Sequence, residues 1–339
     1  MVMIDRRPLE RVLVTGGAGF IGSHLVDALT ERNTEITVID NFSRGSHANI
    51  AQAMETGRVK VRQENLAYQK PAILPGMDCV FHLAAKVTGI EYNRGHHYEM
   101  LMTNLAITGG VVESVKAAKP KLFVYVSTAC VYPHDAPVPT SESAGDVGNP
   151  EPTNHGYGVA KWTGEQMVKH LHREHGIPSI IVRFFNAFGP RDYYDEETSH
   201  VAPALIRRVL EGENPVTVWG TGRQTRVLVD ARDIARVLVL LMDKHLGYEL
   251  LRWPDRPVTV NIGHDRDMSI RRLVHEIISL SGREGQIDVA YDKSKPDGYP
   301  RRAADVSLLK QLVGWVPDTP LHVTLKDMIE EYRAGEAHT

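Results

Sequence analysis

The chain has little cysteine, no excess of charge and no long apolar run, and each shortage closes off a class of protein. Only Cys79 and Cys130 occur in 339 residues, too few for a disulfide framework, so a buried core must hold the fold. Such usage points to a reducing cytoplasm. Lys and Arg number 39 against 42 Asp and Glu, a net charge of -3. That balance leaves no basic footprint for nucleic acid and no acidic field to repel an anionic ligand. No apolar stretch approaches the roughly 20 residues of a membrane span. Residues 1–11 carry Arg6, Arg7 and Arg11 without an apolar region, unlike a secretory signal. What is present is 42% hydrophobic, enough for the core of one large domain or two joined ones.

The first 190 residues alternate short β-branched runs with helical patterns. Strands are expected at Arg11–Thr15, Glu35–Ile39, Arg58–Gln63, Cys79–Leu83, Leu122–Ser127 and Ser179–Phe184. Several are nearly continuous apolar runs, as strands buried on both faces require. Helices are expected at Ile21–Arg32, Tyr98–Lys119 and Gly158–His175. The alternation predicts an α/β fold with a doubly wound parallel sheet over residues 1–190. Residues 191–339 read as a smaller mixed α/β substrate region, with helices at Val201–Glu211, Asp233–Lys244 and Ser269–Ser281. Val258–Ile262 is expected to return to the main sheet.

The strand Val12-Leu13-Val14-Thr15 runs straight into Gly16-Gly17-Ala18-Gly19-Phe20-Ile21-Gly22, where helical periodicity begins. A strand, a glycine turn and a helix start place backbone N–H groups and a positive helix end against a pyrophosphate. Gly16 and Gly19 let the backbone turn and approach phosphate, and Gly22 lets the helix pack on the strand. This is the phosphate-binding turn of a Rossmann-type dinucleotide fold. Asp40 ends the second strand, where a carboxylate accepts hydrogen bonds from both hydroxyls of an adenosine ribose and repels a 2′-phosphate. NAD is therefore expected over NADP. Arg44 lies nearby and would pull the other way.

Tyr157 and Lys161 form Tyr-x-x-x-Lys, on one helix face. An ammonium beside a phenol lowers its pKa from about 10, so the tyrosine can exchange a proton with an alcohol. Thr128, ending the fifth strand, offers a hydroxyl to the same oxygen. His96 and His97 adjoin, but no second ligand cluster follows, so no catalytic metal is expected.

These residues, with His82-Leu83-Ala84-Ala85, Asn104, Ser127-Thr128 and Arg183-Phe184-Phe185-Asn186, resemble the extended short-chain dehydrogenase/reductase family, nearly to Gly314-Trp315. The resemblance implies oxidation of a nucleotide-diphosphate sugar at C4 by bound NAD, action on the ketone, and usually return of the hydride. It implies that Gly16, Gly19, Phe20, Ile21, Gly22, Asp40, Asn41, Arg44, Leu83, Ala84 and Ala85 line the cofactor, with Asn65 and Leu66 flanking adenine. Lys86, Asn186, Val201, Arg208, Trp219, Arg226 and Arg301 would surround the substrate. A homodimer through the helices Tyr98–Lys119 and Gly158–His175 is likewise implied.

The residues after Thr128 separate the branches of the family. The 4,6-dehydratases carry Asp-Glu there; this chain has Ala129-Cys130. Thr128-Ala129-Cys130-Val131-Tyr132-Pro133 is similar to GDP-mannose 3,5-epimerases and GDP-L-fucose synthases. The segments His82–Val87, Glu151–Asn154, Ser199–Val201 and Ser294–Gly298 resemble the synthases. In those enzymes a cysteine and a second group exchange protons beside a C4 ketone, which makes Cys130 and His200 the acid/base pair here. The chemistry is sound, because a C4 ketone acidifies the hydrogens on C3 and C5. The positive end of the helix starting at Val201 is expected to keep His200 neutral, and a nearby nicotinamide to favour the Cys130 thiolate. Ala18 stands where the reductases carry arginine, and with Asp40 it points to an epimerase that restores its cofactor. A C4 epimerase needing only Thr128, Tyr157, Lys161 and NAD, and a net reductase, stay open.

Overall fold

Apolar runs that alternate faces explain the first layer. In Val12-Leu13-Val14 all three side chains are fully buried. Val12 and Val14 join one core cluster, whereas Leu13 joins another on the opposite face. A strand buried on both faces needs helices above and below it. This is what the computed structural model shows over its described residues, 10–32, 34–73, 75–195, 198–246, 255–295 and 300–337.

The first part of the chain runs β1 (Arg11–Thr15), α1 (Phe20–Thr30), β2 (Glu35–Asp40), α2 (Ala51–Glu55), β3 (Val59–Gln63), β4 (Cys79–His82), α3 (Ile90–Gly95), α4 (His97–Ala118), β5 (Leu122–Thr128), α5 (His155–His175), β6 (Ser179–Phe184) and β7 (Ala187–Phe188). Then follow α6 (Val201–Glu211), β8 (Val216–Trp219), β9 (Thr225–Arg226), β10 (Val229–Asp230), α7 (Ala231–Leu246), β11 (Val258–Ile262), β12 (Met268–Ser269) and α8 (Ile270–Leu280). The last elements are β13 (Val289–Asp292), β14 (Arg301–Arg302), α9 (Ser307–Val313) and α10 (Leu321–Ala334). A seven-stranded parallel sheet has the order β11-β6-β5-β4-β1-β2-β3. From β1 the chain winds outward through β2 and β3, then returns to place β4 on the other flank. That reversal opens a crevice above the carboxyl ends of β1 and β4, the ligand position of such folds.

The expected strands and helices lie within a few residues of those observed, and Val258–Ile262 does return to the sheet beside β6. Residues beyond 190 contribute to two cores. Helices α7 and α9 pack with the β1 side of the sheet, through Val237, Leu238, Leu241, Leu309 and Leu312. Helices α6, α8 and α10 build a separate core with Val216 and Val218 of β8. The two-residue strands β7, β9, β10, β12 and β14, which have too few residues to show a period, were not expected, nor were α3, α9 and α10. Pro296, Asp297 and Gly298 of the Ser294–Gly298 segment lie outside the described residues.

Candidate active site

The glycine turn is shaped by contact rather than by flexibility. Gly16 has φ 72°, and a Cβ there would lie 2.7 Å from Ala84 N and 2.9 Å from Ala84 Cα. A Cβ on Gly22 would overlap the Gly16 carbonyl oxygen. Gly19 caps α1 in an extended conformation, and the first turn of that helix holds no acidic side chain. Its unsatisfied N–H groups suit a pyrophosphate. Asp40 is buried; its Oδ2 accepts from Ala18 N–H (3.0 Å) and its Oδ1 from Phe42 N–H (2.9 Å). Burial raises its pKa and these donors lower it. The carboxylate keeps lone pairs for ribose hydroxyls. The cradle that a Cβ would fill, the uncharged helix end and this acceptor together fit NAD.

A Gly22→Ala variant should therefore lose NAD binding while the second core stays folded, which equilibrium dialysis with NAD checks.

Arg44 has several partners within the chain. Its Nη1 donates to Val87 O (3.0 Å) and Thr198 Oγ1 (3.0 Å), and its guanidinium lies 4.2 Å from the Tyr193 ring centroid. A carbonyl, a hydroxyl and an aromatic face hold its guanidinium between Val87, Tyr193 and Thr198. Asn41 and Asn65 use their side-chain oxygens on their own turns, accepting from Ser43 N–H (3.1 Å) and Ala67 N–H (3.1 Å). Leu66 is buried. Phe20, Ile21, Leu83, Ala84 and Ala85 are partly exposed around the crevice. Asn104 clamps the segment after β4, accepting from Lys86 N–H (2.9 Å) and donating to Lys86 O (3.0 Å). The Lys86 side chain itself pairs with Glu99.

Thr128, Tyr157 and Lys161 meet at the end of β5. The Thr128 side chain acts on the Tyr157 phenol, pulling its pKa down. Thr128 Oγ1 also accepts from Cys130 N–H (3.2 Å), which caps the short turn Ala129–Val131. Burial pushes the Tyr157 phenol well above its ordinary pKa, and Cys130 and Tyr125 push the same way. The expectation that Lys161 lowers it is corrected here. The Lys161 ammonium donates to Val126 O (2.7 Å) and lies 4.9 Å from the Tyr125 ring centroid, and burial brings its own pKa down to about 8. Desolvation is the largest cause of the Tyr157 shift, and Lys161 is not among its causes.

Glu165, one turn beyond Lys161, ties this site to the sheet. It accepts from Ser127 Oγ (2.5 Å), Arg183 Nε (2.8 Å) and Arg183 Nη2 (2.6 Å), and the Glu165 and Arg183 side chains have 0% exposure. Arg183 continues to Tyr132 Oη (3.2 Å) and Glu142 O (2.6 Å).

Cys130 is partly exposed, with Asn154 Nδ2 at 3.8 Å from its Sγ. Asn154 is held by Glu151 and by Asn93 Nδ2 (3.0 Å), and the buried Glu151 forms an ion pair with Arg302. Glu151 and Arg302 carry roles that sequence reasoning missed. The signal was there: consecutive strand residues face opposite ways. Arg301, half exposed, turns outward to Asp267 (2.9 Å), and Arg302 turns inward. Cys79 is wholly buried.

His200 overturns a second expectation. Its Nδ1 lies 3.2 Å from both oxygens of the buried Asp192. That charge raises the imidazole pKa, with burial and Arg44 opposing. A full charge in contact outweighs the partial charge of a helix end, so His200 favours the protonated, acid form. In Asp192→Asn the activity limb that reports His200 ionisation should move to lower pH. A superimposable kcat profile would contradict this.

The remaining candidates spread around the second core. Asn186 (φ 29°) donates to Val227 O (2.9 Å), and Arg208 donates to Thr217 O (2.7 Å). Trp219 is 39% exposed with Lys295 Nζ at 4.9 Å from its ring. Arg226 on β9 is in register with Arg302 on β14, and Val201 is exposed at the start of α6. His96 stacks on Tyr92, whereas His97 faces His155, so the two rings serve different contacts.

Comparison with known proteins agrees with this geometry. Residues 12–263 match the model of the NAD dependent epimerase/dehydratase family. The chain belongs to that family. It is an NAD-dependent enzyme of the extended short-chain dehydrogenase/reductase kind. This epimerase/dehydratase is 32% identical to GDP-L-fucose synthase 1 of Arabidopsis thaliana over 326 residues, 95% of this chain and 93% of that one. A UDP-N-acetylglucosamine 4-epimerase from Methanobrevibacter ruminantium M1, in complex with UDP-N-acetylmuramic acid, superposes with a TM-score of 0.83 at 28% identity, covering 98% of this chain and 100% of its own. A UDP-glucuronic acid 4-epimerase from Bacillus cereus, solved with UDP-glucuronic acid and NAD, gives 0.81 at 28% identity over 96% of this chain and 99% of its own.

Proposed function

We propose that this family member is a nucleotide-sugar epimerase, acting on a GDP-sugar through a transient C4 ketone, with Cys130 and His200 exchanging protons at C3 or C5. The observation that carries the reading is the position of Cys130. It follows Thr128 on one short turn, bonded to it through the backbone, and its side chain is near enough to raise the Tyr157 phenol. A proton-exchanging group therefore adjoins the group that makes the ketone.

Bound NAD supplies a hydride acceptor and later a donor, with a positive ring in its oxidised form. The chain does the rest. Tyr157 Oη takes the C4 hydroxyl proton, and Thr128 Oγ1 orients that oxygen. The Cys130 thiolate takes the C3 or C5 proton, leaving an enolate. His200, protonated beside Asp192, delivers a proton to the other face. Solvent resets the thiol and imidazole, and Tyr157 returns its proton as the C4 alcohol re-forms. Lys86, Asn186, Val201, Arg208, Trp219, Arg226 and Arg301 hold the nucleotide and diphosphate, with arginine forks suited to phosphate.

The 32% identity to a GDP-L-fucose synthase supports a GDP-sugar. The buried Asp40 carboxylate, which would repel a 2′-phosphate, supports a closed redox cycle over a net NADP-dependent reduction. The test uses Cys130→Ser and His200→Asn. Each should lose about 10²–10⁴-fold in solvent deuterium exchange at the substrate ring, while mixing with substrate still reduces bound NAD. Unchanged exchange in both variants would leave a plain C4 epimerase. Stoichiometric consumption of added cofactor would make the enzyme a reductase.

The same reading carries a homodimer in the cytoplasm. Tyr98 (78% exposed) and Met102 (48%) present an apolar edge on α4 for a second copy. Light scattering should give twice the chain mass. Among the described residues, no helix is long and apolar enough to cross a membrane.

A further inference from the structure

We propose that Arg44 is a positioning residue for His200: reaching from the loop after β2, it clamps the segment that carries the Asp192–His200 pair. The inference deepens the epimerase reading and rests on it for its role in turnover.

The clamp has a fixed base. Arg44 follows Asp40, whose carboxylate accepts from Ala18 N–H (3.0 Å). Ala18 O accepts from Ser46 N–H (3.1 Å) and from Asn49 Nδ2 (2.9 Å), and a Cβ on Gly45 would lie 2.8 Å from the Ala18 carbonyl carbon. Residues on both sides of Arg44 are thereby fitted to the glycine turn. Its head is fixed as well. Nη1 donates to Thr198 Oγ1 (3.0 Å) and Val87 O (3.0 Å), Nη2 lies 4.0 Å from Asp195 Oδ2, and the guanidinium covers the Tyr193 ring at 4.2 Å. Thr198 passes the constraint on, donating its N–H to Asp195 Oδ1 (2.7 Å) and its hydroxyl to Asp195 Oδ2. Gly89 closes on the same stretch, where a Cβ would lie 3.2 Å from Thr198 O and from Ser199 O. His200 is the next residue.

The start of the segment is anchored elsewhere. Pro190 O lies 3.0 Å from His24 Nε2 on α1, and Arg191 Nη1 donates to Asp27 Oδ2 of the same helix (2.7 Å). Arg191 N–H and Tyr194 Oη donate to α10, at Glu331 Oε1 (2.7 Å) and Met328 O (3.2 Å). These contacts fix Asp192; Arg44 fixes the stretch that delivers His200 to it. Arginine suits the task. Its planar guanidinium can lie on an aromatic face while its N–H edge holds two acceptors, which a lysine ammonium cannot do. Placement matters because a proton donor works only within hydrogen-bond reach of the reacting atom. A misplacement of about 1 Å can cost roughly 10²-fold.

The experiment compares two rates at saturating NAD and GDP-sugar: reduction of bound NAD on mixing, and solvent deuterium exchange at the sugar ring. Arg44→Met and Thr198→Val break the clamp from its two sides. In either variant, exchange should fall about 10–10²-fold more than NAD reduction does. In a His200→Asn background, Arg44→Met should cost no further exchange, because the clamp acts through that ring. Equal losses in the two rates, or an added loss beyond His200→Asn, would overturn the proposal. A second measurement needs no turnover. Amide hydrogen exchange of the NAD-loaded enzyme over residues 198–204, read by mass spectrometry, should quicken several-fold in both variants. Rates that coincide with the parent's would also overturn it. If His200→Asn exchanges ring deuterium as fast as the parent, the epimerase reading fails, while the clamp stands or falls by the amide measurement.

Discussion

Tyr157→Phe should cost about 10²–10⁴-fold in kcat with nucleotide-sugar binding little changed, because it removes the proton acceptor from the C4 alcohol and little else. The phenol is buried against Thr128, and burial holds it well above its ordinary pKa. The Thr128 side chain pulls the other way. Lys161 makes the same argument testable by pH. Its pKa is lowered by burial to about 8, so its charge fades as pH rises through that value. The kcat profile should show an alkaline limb near pH 8. The sign for stability is opposite. Between about 8 and the unfolded value near 10.4, the unfolded chain binds more protons, so this lysine makes the fold more stable as pH rises. Activity should therefore fall over a range in which this group does not destabilise the protein. A steady-state pH series beside a melting series separates the two effects. Activity that stays flat through pH 8 would contradict the assigned role of Lys161.

The second large effect is on stability. Glu165→Gln leaves the Arg183 guanidinium at 0% exposure without its carboxylate. Breaking one side of such a pair costs about 3–5 kcal/mol. For a chain of this size the midpoint should fall by roughly 4–7 °C. The double variant Glu165→Leu/Arg183→Met removes both charges and should recover much of the loss, since the buried pair gains little over apolar side chains of similar volume. Glu165 also accepts from Ser127, the residue before Thr128, so the single variant should lower kcat as well, by letting the end of β5 shift against α5. Differential scanning calorimetry of the three proteins decides the matter. A double variant no better than Glu165→Gln would mean that the network acts through shape rather than charge.

These two predictions differ in how readily they could be read from sequence. Tyr157 and Lys161 share one helix face and fall after a dinucleotide turn, so local spacing alone brings them together. The sheet was legible for a similar reason. Val12-Leu13-Val14 and Leu122–Val126 are continuous apolar runs, and such runs belong to strands covered on both faces. Glu165 and Arg183 carry no local signal, because each is an ordinary charged residue until the helix and strand pack. Arg302 and Glu151 are 151 positions apart, and their pairing depends on how β14 docks beside β9. His200 was visible as a candidate, but its charge state was not. The sequence shows a helix start at Val201, whereas the buried carboxylate of Asp192 depends on how the preceding loop folds back. Burial was the other hidden quantity. It raises the Tyr157 phenol and lowers the Lys161 ammonium, against the downward shift of the phenol expected from the spacing.

The central claim is that a borrowed hydride at C4 licenses proton exchange beside it. Turnover of a GDP-sugar in deuterated water, followed by mass spectrometry and proton NMR, tests it most directly. The account predicts deuterium at C3 or C5 of the recovered sugar, with C4 hydrogen retained and no net consumption of NAD. Epimerised product free of solvent deuterium at both carbons would contradict it.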